Sequence, residues 1–234
     1  MPRFATRRFD NLHMGGRVLF SKESDRGCFR FFDLSDEQDQ RERIKDLQTA
    51  QSEWVPDAVI SDTHFFHDRI IALCGRKNPA TDLVFSGISE MNDLIRERWN
   101  EGVGVYDEVL HTGDLAFFYR DGATRRFIES LNGKITLVAG NHDKWKDTLK
   151  KIAECRNVKA IHGRISCRGV LFTHKPVQGI ESPNCHGHMH DSPDLGPFHF
   201  NASVERHGYR PIPSCRIFKW GESISKQKEQ NHDG

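Results

Sequence analysis

Four short apolar runs in this chain stop at residues able to bind a metal or move a proton. Ala58–Ile60 precedes Ser61-Asp62-Thr63-His64, and Glu108–Thr112 precedes Gly113-Asp114. Lys134–Ala139 precedes Gly140-Asn141-His142-Asp143, and Val170–Thr173 precedes His174. Helical segments lie between the first three. One runs from Ser89 to about Asn100, with Met91, Leu94, Ile95 and Trp99 spaced near 3.6 residues per turn; the other runs from Ala123 to Leu131, with Phe127, Ile128 and Leu131 as its apolar face. Strand alternating with helix dictates an α/β sheet whose strand ends share one edge, and the loops at that edge carry the chemistry. The four polar ends should therefore converge.

Other segments fall around that core. A short helix is expected over Asp68–Leu73 and another from about Lys144 to Glu154, followed by β-prone runs at Val158–Ile161, Arg164–Cys167 and Phe198–Val204. Between the last two, Pro183–His190 brings Gly187-His188-Met189-His190. Residues 1–54 read as an extension: Val18–Phe20 and Cys28–Phe32 form a hairpin around Ser24-Asp25-Arg26-Gly27, and Ser35 with Gln38 caps a charged helix to about Thr49. Pro56 marks the boundary to a main domain over 55–220, and the polar stretch 221–234 reads as a disordered tail.

Charge excludes one simple assignment. Lys and Arg number 34 against 33 Asp and Glu, so no overall basicity calls for a polyanion. A nucleic-acid partner is accordingly not favoured, although a local groove stays open. The six cysteines are scattered without a Cys-x-x-Cys pair, which fits free thiols in a reducing compartment. No apolar run nears the roughly 18 residues of a membrane span, so a cytoplasmic protein with no membrane partner is expected.

Two carboxylates, a carboxamide and at least four histidines make an oxygen- and nitrogen-rich ligand set. No cysteine is placed to join it, which argues against a structural zinc knot and for manganese, iron or zinc. Seven ligands exceed one tetrahedral site but suit two adjacent ions bridged by a carboxylate, a geometry that activates water and clamps a phosphoryl group.

Taken together, Asp62-x-His64, Gly113-Asp114, Gly140-Asn141-His142-Asp143, His174 and Gly187-His188-x-His190 resemble the calcineurin-like metallophosphoesterase superfamily. Ser61–His67 and Asn201-Ala202-Ser203-Val204-Glu205 are similar to its small bacterial and phage-encoded members. The resemblance implies a four-layer α/β/β/α sandwich of two mixed β-sheets flanked by helices. It implies a first metal held by Asp62, His64 and His190, a second held by Asn141, His174 and His188, and Asp114 as the bridge. His142 would donate a proton to the leaving oxygen or hold a phosphoryl oxygen. The implied cofactors are two divalent transition metal ions, manganese first, with iron, zinc or nickel as alternatives.

The implied activity is hydrolysis of a phosphomonoester or phosphodiester, nucleotide-like substrates included, by a metal-activated hydroxide. A nuclease of the same superfamily and a non-catalytic metal-binding scaffold are the alternatives. Asp143 either orients His142 or is a plain helix N-terminal acid. His67 reads equally as a rim or a surface residue, His186 as a site or a packing residue, and His111 as a satisfied core histidine. Arg120, Arg125 and Lys175 lie near the ligand loops, with solvated surface as the default.

Overall fold

The computed structural model describes residues 19–23, 29–33, 54–118, 121–144 and 147–232. The loop Ser24–Gly27, the charged helix expected over Ser35–Thr49, and Arg120 lie outside the described residues. By its contacts the chain divides into two compact units, Met1–Asp46 and Leu47–Gly234. In the first, β1 (Leu19–Glu23) pairs antiparallel with β2 (Phe29–Asp33), from Leu19 opposite Asp33 to Glu23 opposite Phe29.

The second unit is built on two mixed sheets. Strands β3 (Ala58–Ile60), β4 (Glu108–His111), β5 (Lys134–Val138) and β6 (Val158–His162) run parallel. They are completed at the β3 edge by antiparallel β11 (Ile212–Pro213). Four more strands, β7 (Ile165–Cys167), β8 (Val170–Thr173), β9 (Asn184–His186) and β10 (His199–Asn201), form the second sheet in the order β10-β9-β8-β7. There β7 is antiparallel and the rest are parallel.

Alternation along each strand sends residues to both faces. Val59, Leu110 and Val138 from the first sheet share one buried cluster with Ile165, Cys167, Val170, Phe172 and Cys185 from the second. That shared cluster packs the sheets face to face. On the far side of the first sheet lies α2 (Ile88–Gly102), whose Met91, Ile95 and Trp99 are buried and whose Trp99 ring stands 6.3 Å from His111. The remaining helices are α1 (Ile70–Cys74), α3 (Asp121–Ile128), α4 (Thr148–Ala153) and α5 (Ser214–His232).

Three elements differ from the sequence reading. The tail expected to be disordered from 221 is helical to His232 as part of α5. Ile217 and Phe218 join the core and Ile224 is 8% exposed, so a sparse apolar stripe anchors an otherwise polar helix. The strand expected over Phe198–Val204 ends at Asn201, and Val204–His207 turns into a 3-10 helix. Strand β9, Asn-Cys-His, has none of the usual strand chemistry. Its polar Asn184 is accommodated because its amide oxygen accepts from the Val177 N–H (2.9 Å) and its nitrogen donates to the Leu171 carbonyl (3.0 Å). No helix among the described residues is long and apolar enough to cross a membrane.

Candidate metal centre

The ligand-type residues sit just past the carboxyl ends of β3, β4, β5, β8 and β9. The parallel order within each sheet puts these ends along one edge, and packing the two sheets face to face joins the two edges. Local backbone follows from the same demand. Asp62, His64, Asp114, His188 and His190 all have left-handed φ, between 47° and 68°. Each such residue costs on the order of 1–3 kcal/mol, and such strain concentrates where side chains must be aimed at a site. Two glycines permit the approach of the loops. A Cβ at Gly140 would lie 2.1 Å from Asp114 Oδ1, and one at Gly187 would lie 1.9 Å from Ser61 Oγ and 2.3 Å from Asp62 Oδ2.

Asp62, His64 and His190 place one ligand atom each within 4.8 Å of one another. Asp62 and His64 are fully buried. Asp62 Oδ2 accepts from the His188 N–H (2.9 Å) and lies 2.9 Å from Ser203 Oγ, whereas Oδ1 is buried without a hydrogen-bond partner. Both ring nitrogens of His64 are likewise buried and unpartnered, with Nε2 3.9 Å from Asp62 Oδ1 and 3.5 Å from Asp114 Oδ2. Burial pushes the Asp62 carboxyl up and the His64 imidazole well down from their ordinary values. A buried carboxylate oxygen facing a buried neutral nitrogen is a costly pair by itself. A divalent cation held between them would satisfy both.

Asp114, His174 and His188 form a second such group. His174 Nδ1 donates to the Thr112 carbonyl (3.0 Å), which leaves Nε2 facing Asn141 Oδ1 at 2.9 Å and Asp114 Oδ2 at 3.4 Å. Burial alone would raise the Asp114 carboxyl. The hydrogen bond and charge of His174 outweigh burial and hold it well below the usual range. Asp114 Oδ2 thus lies between an imidazole of each group, at 3.5 and 3.4 Å. The donor set, nitrogen and oxygen without sulfur, fits two divalent transition metal ions.

His142 stands at the mouth. Its N–H donates to Asp114 Oδ1 (2.9 Å), its side chain is 44% exposed, and Nε2 is 4.0 Å from Asp114 Oδ2. Asp143 is buried, and its carboxylate accepts from the N–H groups of Asp114 (2.7 Å), Leu115 (2.9 Å) and Gly140 (2.8 Å). It therefore clamps the β4 loop to the β5 loop. Burial, then the Asp114 charge, push its carboxyl up to about 6.

The other histidines separate clearly. His111 is a satisfied core residue: Nδ1 accepts from the Gly113 N–H (3.1 Å) and Nε2 donates to Thr63 Oγ1 (3.0 Å), whose own hydrogen goes to the Leu115 carbonyl. His67 stacks flat on Phe117 at 4.2 Å, and its ring is 5.8 Å from that of His142. His186 is a buried residue of β9 whose Nδ1 donates to the Gly187 carbonyl (2.9 Å). Arg125 pairs with Glu154.

Sequence reasoning assigned no role to Arg76, Ser203 and Glu205, which contact the candidate ligands Asp62 and His190. Arg76 gives no local signal, because its partners are 13 to 129 positions away. The Asn-Ala-Ser-Val-Glu segment offered a hint only through its resemblance, because Glu205 lies in the 3-10 helix after the strand and not on a strand face.

A family model for calcineurin-like phosphoesterases matches residues 57–231. The chain is 33% identical over 166 residues to an uncharacterized protein of Methanocaldococcus jannaschii, covering 69% of this chain and 88% of that one. Among solved structures it is similar to a protein of unknown function from Aquifex aeolicus, with 26% identity and a TM-score of 0.52. That match covers 69% of this chain and 97% of the other.

Proposed function

Because the chain belongs to the calcineurin-like phosphoesterase family, whose members are generally hydrolases of phosphate esters, we propose that it hydrolyses a phosphomonoester or phosphodiester at a dinuclear centre. Asp62, His64 and His190 would hold one ion and Asn141, His174 and His188 the other, with Asp114 shared between them and manganese the first choice of metal. The observation that carries this reading is the position of Asp114 Oδ2 between His64 Nε2 and His174 Nε2. When bound, two such ions lower the pKa of water toward neutrality and neutralise charge on the phosphoryl oxygens.

The chain supplies orientation and a proton. His142 is anchored through its backbone N–H to the Asp114 carboxylate, and its half-exposed ring keeps Nε2 4.0 Å from Asp114 Oδ2. From there it protonates the departing oxygen, a contribution of about 10²- to 10⁴-fold for a positioned acid. The His67–Phe117 stack lies beside it, with ring centroids 5.8 and 5.4 Å from that of His142. Asp143, through three backbone N–H groups, keeps the loops of Asp114 and His142 in register.

The test compares bis- and mono-nitrophenyl phosphate with the manganese-loaded protein. Turnover of at least one, abolished by chelation and restored by manganese, is the expected result. Inertness of the loaded protein toward both would overturn the proposal.

A further inference from the structure

One buried cluster of charge beside the centre has no part in the chemistry above. Arg76 follows α1 and is 1% exposed. Its Nε and Nη2 reach Glu205 Oε1 at 2.8 and 2.7 Å, Nη2 also donates to the Asp62 carbonyl, and Nη1 donates to the Thr63 carbonyl (3.1 Å). The Glu205 side chain is 6% exposed, and the same Oε1 accepts from His190 Nδ1 at 2.8 Å. One guanidinium and one carboxylate oxygen thereby connect the backbone of the β3 loop, which carries Asp62 and His64, to the ring of His190 after β9. Burying an ion pair brings little net stability by itself. Its contacts with Asp62 and His190, both in one half of the centre, point to another use.

We propose that Arg76 and Glu205 are positioning residues for the first metal. Glu205 fixes His190 with its proton on Nδ1 and the lone pair of Nε2 toward Asp62 and His64, while Arg76 holds Glu205 against the backbone of that loop. The inference rests on the dinuclear reading above. A carboxylate on the far nitrogen orients a metal-binding histidine and makes it a stronger donor. The other half has no equivalent among its described contacts: His174 Nδ1 meets the neutral Thr112 carbonyl. Ser203, two positions before Glu205, supports Asp62 in the same way from the same segment. Cys74, His190 and Glu205 also come within ligand range of one another. The Arg76 guanidinium lying on Glu205 makes that group a poor place for a third cation.

The test is calorimetric titration of the metal-free full chain with Mn²⁺, wild type against Glu205→Gln. Wild type should bind two ions. The variant should bind one of them about 10- to 100-fold more weakly, with the affinity for the other unchanged. Equal weakening of both, or of neither, overturns the proposal. Failure of wild type to bind two ions would instead refute the dinuclear reading itself. A second measurement needs no variant: in the zinc-loaded protein, nitrogen-detected NMR should show His190 protonated on Nδ1 and metal-bound through Nε2. The opposite tautomer would refute the role of Glu205 even if Glu205→Gln did not fold.

Discussion

The two halves of the proposed centre contain the same ligand chemistry but are held very differently. Around the first, Asp62 and His64 are fully buried, three residues carry left-handed φ, and the supports are charged: Glu205 on His190 and Arg76 behind it. Around the second, Asn141 is exposed, His188 is half-buried, and His174 leans on a peptide carbonyl. Only the first half has a carboxylate of its own, Asp62, in addition to the shared Asp114. The first is therefore the half richer in negative charge, and the second the half whose Asn141 reaches solvent. An ion held by the second half would leave room for a phosphoryl oxygen, as a hydrolytic centre requires of one of its metals.

The contrast depends on Asp114 belonging to both halves, so its loss has the largest expected effect. Asp114→Asn should lower turnover by about 10³-fold and reduce the occupancy of both ions together, read by metal analysis after gel filtration. Retention of both ions with normal turnover would show that the bridge is misassigned. His142→Ala comes next: it should leave both ions bound and lower turnover by about 10²-fold. Because His142 holds Asp114 through its backbone N–H, the alanine keeps that bond. A loss of metal in this variant would contradict the separation of roles.

A smaller effect distinguishes the halves directly. Asn141→Ala should weaken one ion by about 10-fold or more while the tighter one stays. Dialysis of wild type against a mild chelator should likewise remove one ion before the other. If the ion lost first were the one that Glu205→Gln weakens, the order of the two halves would be reversed.

How much of this was legible in the sequence follows from the range of the interactions. The ligand-bearing ends were legible because each motif is local: Gly140-Asn141-His142-Asp143 sits directly after five residues of β5. Parallel pairing then does the assembly. The supports were not legible, because Arg76 reaches Glu205 across 129 positions and Ser203 reaches Asp62 across 141. Asp143 was ambiguous for a related reason. A carboxylate beside a helix-like segment looks the same in sequence whether it caps a helix or, as here, gathers three N–H groups from two loops. The helix over 221–232 was missed because a few residues, Ile224 among them, carry its packing within a polar run. Strand β9 was missed because its asparagine is satisfied by distant backbone.

The smallest effect concerns the neutral tie beneath both halves. His111 joins Thr63, in the loop of the first half, to the Gly113 N–H beside the bridge. Burial holds its imidazole down at about 3, against an ordinary value of 6.5. Above pH 6.5 the ring is neutral in folded and unfolded chains alike, so nothing is lost. Below it, the unfolded chain takes up a proton that the folded one refuses until about pH 3, and stability falls across that window. Between pH 6.5 and 5.5 the loss from this residue is about 1 kcal/mol. Carboxylates titrate over the same range, so the comparison must be with His111→Gln, whose amide keeps a donor for Thr63 but has no proton to gain. Urea unfolding of both metal-free proteins at the two pH values should show wild type losing about 1 kcal/mol more than the variant. Equal losses would mean that His111 is charged in the fold, and the proton pattern drawn for Thr63, Leu115 and Gly113 would then be wrong.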